Sequence, residues 1–253
     1  MITLSGLGHV AACPGSAALP RIRREGTRGA PIGHAIHELA AHRVEGSGSR
    51  DGSDYDVSRL AAAHSLDADD AGRLSFLAAH LRLPVPAGAL AEVPLGYFPD
   101  GSVRRIDGGA GEYTDAGQLL SGTLDAMWAE PEPIVTHEQF WPMVVDGSTL
   151  WLVDWKTGDE ENVPPIERNW QLRAGALMAA RWTGARRVIP AICYINAAEC
   201  AEAVREGRPY TGRWEVGAVL DAAALDAIEV ELRAVLARAR GEEDVLRGGE
   251  GDG

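Results

Sequence analysis

Apolar residues recur along this chain with two different periods, and the places where the period changes mark its elements. Ile36, Leu39, Ala40 and Val44 lie on one stripe of a helix from about Ile32 to Val44, with Pro31 suited to its first turn. Gly46 to Ser53 reads as a linker, and Leu60, Leu74, Phe76 and Leu77 supply the apolar positions of helical material from about Val57 to Leu81. Pro84 and Pro86 end it. The pattern then shortens to alternation, predicting strands around Leu90 to Tyr97, Leu119 to Trp128 and Leu150 to Lys156, with an Asp146-Gly147 turn before the last. A meander is the simplest arrangement of the three. A helix from about Glu167 to Trp182 and an apolar strand from Arg187 to Ile195 follow, and this strand, helix, strand order predicts a parallel pair. Leu225, Ile228, Leu232, Val235 and Leu236 form the buried face of a last helix, for which Asp221 is the expected N-cap.

Chemistry enters at the end of the third strand, in Trp151-Leu152-Val153-Asp154-Trp155-Lys156-Thr157-Gly158. Side chains alternate across a strand, so Asp154 and Lys156 share a face while Trp155 points away. As an exposed pair they would be worth little. Behind an apolar run the burial of either charge alone would cost several kcal/mol, roughly, so the pair needs a function. Upstream, Ser121-Gly122-Thr123-Leu124-Asp125 places a second acid on another strand.

These elements, taken in order, resemble the PD-(D/E)XK nuclease superfamily and, in the Gly-x-x-Asp and Val-Asp-x-Lys-Thr-Gly forms, its RecB-like, phage-exonuclease-like branch. Gly33-His34-Ala35-Ile36-His37-Glu38 is similar to the branch's N-terminal helix motif, in which glycine precedes histidine by four residues. Gln171-Leu172 stands where the branch has a glutamine, and Cys13-Pro14-Gly15-Ser16 looks like the opening of phage and prophage members. The resemblance covers roughly residues 10 to 200. One departure is Gly175, which occupies the place of a tyrosine four residues after the glutamine.

The resemblance implies an α/β, restriction-endonuclease-like core with a central mixed sheet flanked by helices. It implies one nuclease-like domain over residues 1–240, helical over 1–85 with its core over 86–240, before an acidic, Gly-rich tail at 241–253. The implied activity is metal-dependent hydrolysis of DNA phosphodiesters, as an exonuclease or end-processing enzyme of recombination or repair. The alternative is a catalytically weak nuclease fold that serves as a nucleic-acid-binding or assembly subunit. Asp125, Asp154, Lys156 and Gln171 are the implied catalytic residues. His37, Asp125, Asp154 and the carbonyl of Trp155 would hold Mg²⁺ or Mn²⁺, with the imidazole favouring Mn²⁺. Lys156 would orient or deprotonate the attacking water or stabilise the transition state, roles that spacing does not separate. Glu92 is a further candidate, because branch members often carry a glutamate on the strand before the first aspartate.

Charge complicates a DNA-binding reading. The net charge is −13 over 253 residues, unlike a nonspecific nucleic-acid binder. Part of the acid lies in Asp51, Asp54, Asp56 and the tail. Arginines gather in two groups around the motifs, Arg21, Arg23, Arg24 and Arg28 before the histidine helix, then Arg168, Arg173, Arg181, Arg186 and Arg187. Arg168 and Arg173 are the candidate substrate contacts. Tryptophans 141, 151, 155, 170 and 182 offer surfaces on which bases stack. Cys13, Cys193 and Cys200 fall one short of an iron–sulfur ligand set, so no cluster is expected. Without a membrane-length apolar run or a secretory pattern, the expectation is a cytoplasmic protein of a bacterial or phage-infected cell, with DNA as partner, no membrane contact, and room for a protein partner or homo-oligomer.

Overall fold

The computed structural model describes residues 2–14, 16, 30–46, 56–109, 112–113, 117–131, 134–137, 140–144, 147–157 and 160–241. Strands in chain order are β1 (Ile2–Thr3), β2 (Leu90–Tyr97), β3 (Val103–Arg105), β4 (Gly108–Gly109), β5 (Glu112–Tyr113), β6 (Leu120–Glu130), β7 (Val135–His137), β8 (Phe140–Met143), β9 (Thr149–Lys156), β10 (Val188–Tyr194) and β11 (Arg213–Val216). Helices are α1 (Leu7–Ala12), α2 (Ala30–Glu45), α3 (Val57–Ala63), α4 (Ala68–His80), α5 (Trp170–Thr183), α6 (Ala197–Arg205) and α7 (Ala222–Arg240). Seven strands make one open mixed sheet in the order β11-β10-β9-β6-β2-β3, with β1 added beside β6, while β4-β5 and β7-β8 form two small separate ribbons.

The predicted meander is present as the antiparallel neighbours β2, β6 and β9. So is the predicted parallel pair, since β9 runs alongside β10 from Leu150↔Val188 to Lys156↔Tyr194 after the α5 crossover. The fold is α/β, a mixed sheet flanked by helices and compatible with a restriction-endonuclease-like core. Leu150 and Leu152 of β9 pack with α5 and α7 on one face, whereas Val153 and Trp155 pack with α2 and α4 on the other. Burial of each such leucine contributes about 1.5–3 kcal/mol.

Local signals explain most boundaries. Asn169 caps α5 by accepting from the backbone N–H groups of Gln171 and Leu172, and Gly184 closes it in the left-handed conformation. Asp221 caps α7 as expected, through the N–H of Ala224. The helical stretch expected from Val57 to Leu81 is two helices, because Ser65 takes φ 53° and Asp67 starts α4 by accepting from Asp70 N–H at 2.9 Å. The division into a helical part over 1–85 and a core over 86–240 does not follow the packing. β1 pairs with β6 through Ile2↔Leu120 and Thr3↔Ser121, and Leu4, Leu7 and Val10 join the apolar layer beneath α5. Among the described residues, no helix is long and apolar enough to cross a membrane.

Candidate metal centre

The site forms where β6 and β9 part. Their pairing runs from Glu130↔Thr149 to Ala126↔Val153, and the next pair in that register would be Asp125 with Asp154. Instead of a ladder bond there, the carboxylate of Asp125 accepts the backbone N–H of Trp155 through Oδ2 at 2.8 Å. Past the gap, β1 takes over the edge of β6 at Leu120 and Ser121. Gly122 makes this possible, for a Cβ there would lie 2.2 Å from Leu4 Cδ1. The glycine of the Gly-x-x-Asp motif is thus a close-approach residue that lets the N-terminal segment wedge the sheet open.

A second irregularity falls at the same level. On β6, Ala126 and Trp128 face the α2 layer, yet Leu124 lies with the α5 layer; on β2, Ala91 faces α2 and Val93 faces α5. Alternation changes phase at Asp125 and at Glu92, which stand opposite each other between Ala91↔Ala126 and Val93↔Leu124. Glu92 absorbs the change at φ 46°, a left-handed conformation that costs a non-glycine residue about 1–2 kcal/mol.

Helix α2 brings the histidine. A Cβ at Gly33 would sit 3.0 Å from Thr157 Oγ1, so the glycine lets α2 approach the end of β9, and one turn later His37 reaches the gap. His37 Nδ1 is 3.6 Å from Asp125 Oδ2, and its ring makes a hydrogen bond with the Trp155 backbone of the kind that supports the charged imidazole. One donor atom each from His37, Glu92 and Asp125 lies within 4.8 Å of the others.

Lys156 and Gln171 complete the far side. Lys156 Nζ is 2.7 Å from Asp154 Oδ2, a close ion pair that holds this buried carboxylate. Gln171 donates from Nε2 to Asp154 Oδ1 at 2.7 Å and accepts from Lys156 Nζ at 3.3 Å. The Asn169 cap holds Gln171 in the first turn of α5, where it braces both charged residues.

Burial dominates the electrostatics. It pushes Asp125 up to about 6, against the pull of the Trp155 N–H and of Lys156. It also pushes Asp154 up to about 6, helped by the charge of Asp125 and opposed by Lys156. Glu92, exposed where the two aspartates are enclosed, still rises to about 7 through partial desolvation of its carboxyl, then through Asp125, Glu38 and Glu45. Burial lowers His37 to about 4, so the imidazole is neutral at pH 7, the form a metal requires. The neutral nitrogen of His37 beside the carboxyl oxygens of Glu92 and Asp125 is a donor set of the kind that could hold a divalent cation. The donor set fits Mg²⁺ or Mn²⁺.

The remaining sequence expectations fare unevenly. Trp155 points away from the charges, as alternation requires, and is fully buried. Arg173 is not brought to the site; it stacks over Trp170 with 4.5 Å to the ring centroid and pairs with Glu231 at 2.7 Å, fastening α5 to α7. Arg168 is exposed in a 3-10 turn before α5. Arg181 sits ten residues past Gln171, about 15 Å along the helix, and pairs with Asp226 and Glu229. Arg187 donates to the carbonyl of Gly147. Arg21, Arg23, Arg24 and Arg28, Asp51 and Asp54, and residues 242–253 lie outside the described residues. None of the described tryptophans lines the cleft beside the metal centre, and Trp151 instead stacks on Trp128 at 5.8 Å.

Gly175 has a packing role. A Cβ there would meet Leu124 and Leu152 at 3.2 and 3.3 Å, so the helix lies against the sheet where a tyrosine would not fit. His34 is exposed at the mouth of the cleft that it lines together with His64, and Glu38 pairs with His64 at 3.0 Å. No signal in the sequence joined His64 to the motif helix, because α3 meets α2 only in three dimensions.

No family model matches the chain, and no curated protein matches it. The solved structure described as "Crystal structure of SSO0001" aligns over 90% of this chain and 85% of that one, at 13% identity and a TM-score of 0.24, a likeness too slight to carry an argument.

Proposed function

We propose that this protein is a metal-dependent nuclease of the PD-(D/E)XK type that hydrolyses DNA phosphodiester bonds, acting as an exonuclease or end-processing enzyme. The observation that carries the reading is the opposition of Asp125 and Asp154 across the parted strands, with Lys156 Nζ 2.7 Å from Asp154. Asp125, Asp154 and Glu92 offer oxygens, His37 a neutral nitrogen, and the Trp155 carbonyl a further oxygen. A bound Mg²⁺ or Mn²⁺ supplies Lewis acidity toward a phosphoryl oxygen and acidifies the attacking water. Lys156 contributes a fixed positive charge where negative charge develops on phosphorus, and Gln171, bonded to both Lys156 and Asp154, fixes the position of that pair. The mutual repulsion of Asp125, Asp154 and Glu92 opposes folding, and a bound cation would relieve it.

A second reading, a catalytically weak nuclease fold that binds nucleic acid or assembles with a partner, draws support from the net charge and from Arg173 being committed to Glu231. Incubation of the purified protein with single- and double-stranded DNA in Mg²⁺, Mn²⁺ or EDTA separates the two. Divalent-dependent cleavage supports the enzyme; DNA retention without cleavage supports the binding subunit; neither cleavage nor retention rejects both.

A further inference from the structure

Beside the candidate metal centre opens a cleft of about 480 Å³ lined by strand hydroxyls, helix histidines and carboxylates. Along β5 and β6 run neutral hydroxyls, among them Tyr113, whose hydroxyl lies 3.1 Å from Thr123 Oγ1. From α2 and the C-terminal end of α3, the cleft is lined by His34 and His64, with ring centroids 6.4 Å apart, and by Glu38, which pairs with His64. Thr123 precedes Asp125 by two residues on β6, so this hydroxyl pair adjoins the donor group of His37, Glu92 and Asp125.

None of the described residues lining this cleft is an arginine or a lysine. A nucleotide entering it would meet hydroxyls and imidazoles, not guanidinium groups, and because Glu38, Glu92 and Asp125 line the same cleft its phosphate needs a bound cation between itself and these carboxylates. Hydroxyls suit the place, because they donate hydrogen bonds without adding to or cancelling the charge that the carboxyls present to a metal. Its size falls within the ~300–1,000 Å³ of small-molecule sites, enough for about one nucleotide and far too little for a duplex.

We propose that Tyr113 and Thr123, facing His34 and His64, form a positioning subsite that holds the sugar and phosphate of a single nucleotide at a strand end beside the metal centre. The inference rests on the nuclease reading for its reaction but not for its binding chemistry. Tyr113 and Thr123 exchange their mutual hydrogen bond for bonds to deoxyribose or phosphate oxygens, and His34, with His64 once it gives up its bond to Glu38, binds the phosphate from α2 and the end of α3. Loss of one such bond from a partly buried site weakens binding by about tenfold.

The test uses thymidine 5′-monophosphate as probe, titrated calorimetrically into the full chain with Mn²⁺ present, alongside steady-state cleavage of single-stranded DNA. Tyr113→Phe and Thr123→Val are expected to weaken nucleotide binding about tenfold and to raise KM, with kcat and the Mn²⁺ dissociation constant unchanged, while Thr123→Ser binds as the wild type does. Thermal melting identifies a variant that has lost its fold, and the other variant then decides. Wild-type nucleotide affinity in folded Tyr113→Phe or Thr123→Val overturns the subsite. Binding with the expected dependence but no cleavage by the wild type upholds the subsite and removes the hydrolytic reading; cleavage with an unchanged KM in both variants does the reverse.

Discussion

The backbone N–H of Trp155 donates to Asp125 Oδ2 at 2.8 Å, so a carboxylate from β6 replaces the ladder bond that β9 would otherwise make. This one contact holds the strands at the separation the site needs, and it also locks a buried acid next to Asp154. Structure and charge therefore respond differently to removal of that charge.

Asp125→Asn retains an oxygen that can accept the Trp155 N–H while deleting the charge. Because burial lifts Asp125 from 3.8 to about 6, its ionisation costs the metal-free fold at most about 3 kcal/mol at pH 8. The variant should melt several degrees higher than the wild type without metal, and lose both the Mn²⁺-induced shift and cleavage. A metal-free melting temperature below that of the wild type would mean that the carboxylate serves the fold.

The pH dependence follows from the same shifts. Asp125, Asp154 and Glu92 are raised, so their contribution to metal-free stability is full below the unfolded values near 4 and is lost as pH rises through about 6 to 7. His37 is lowered, and its contribution is present above 6.5 and lost as pH falls through about 4. A divalent ion must displace protons from the carboxyls, so the melting increment given by Mn²⁺ should grow with pH and vanish below about 6, with the acid limb of activity in the same range. The imidazole, neutral down to about pH 4, does not set that limb. His37→Ala should instead reduce the preference for Mn²⁺ over Mg²⁺. A metal increment independent of pH would exclude these carboxyls as ligands.

Lys156→Ala should separate chemistry from metal binding. Gln171 still donates to Asp154 Oδ1, and the loss of a nearby positive charge leaves metal affinity equal or tighter. Turnover should fall about a hundredfold or more, the scale of one lost transition-state contact. Equal losses in Mn²⁺ affinity and rate would show that the lysine organises the ligands.

Glu92 offers a comparison of strain with ligation. At φ 46°, Glu92→Gly is relieved of the left-handed penalty and Glu92→Ala is not, so the glycine variant should be about 1 kcal/mol more stable in urea without metal. Both should bind Mn²⁺ at least about tenfold more weakly, by analogy with other losses around metal sites. Unchanged Mn²⁺ affinity in both would remove Glu92 from the donor set.

Much of this arrangement was legible in the chain because it depends on local periodicity. Alternation located β2, β6 and β9 to within a few residues and turned Trp155 away from Asp154 and Lys156; the helical stripe and Asp221 located α7. The family resemblance also singled out Gly33 with His37, and Gly122 with Asp125. Tertiary packing decided the rest. A two-residue strand such as β1 has no period to detect, so its insertion beside β6 was invisible, as was the reason for Gly122. The left-handed Glu92 carries no mark in sequence because glutamate does not favour that conformation, and only the two strands that meet there impose it. Arg173 looked available for substrate until α7 placed Glu231 against it. Tyr113 and His64 lie far from the motifs in sequence and reach the cleft only because the sheet and helices close around it; periodicity is a property of neighbours along the chain, and a site is a property of neighbours in space.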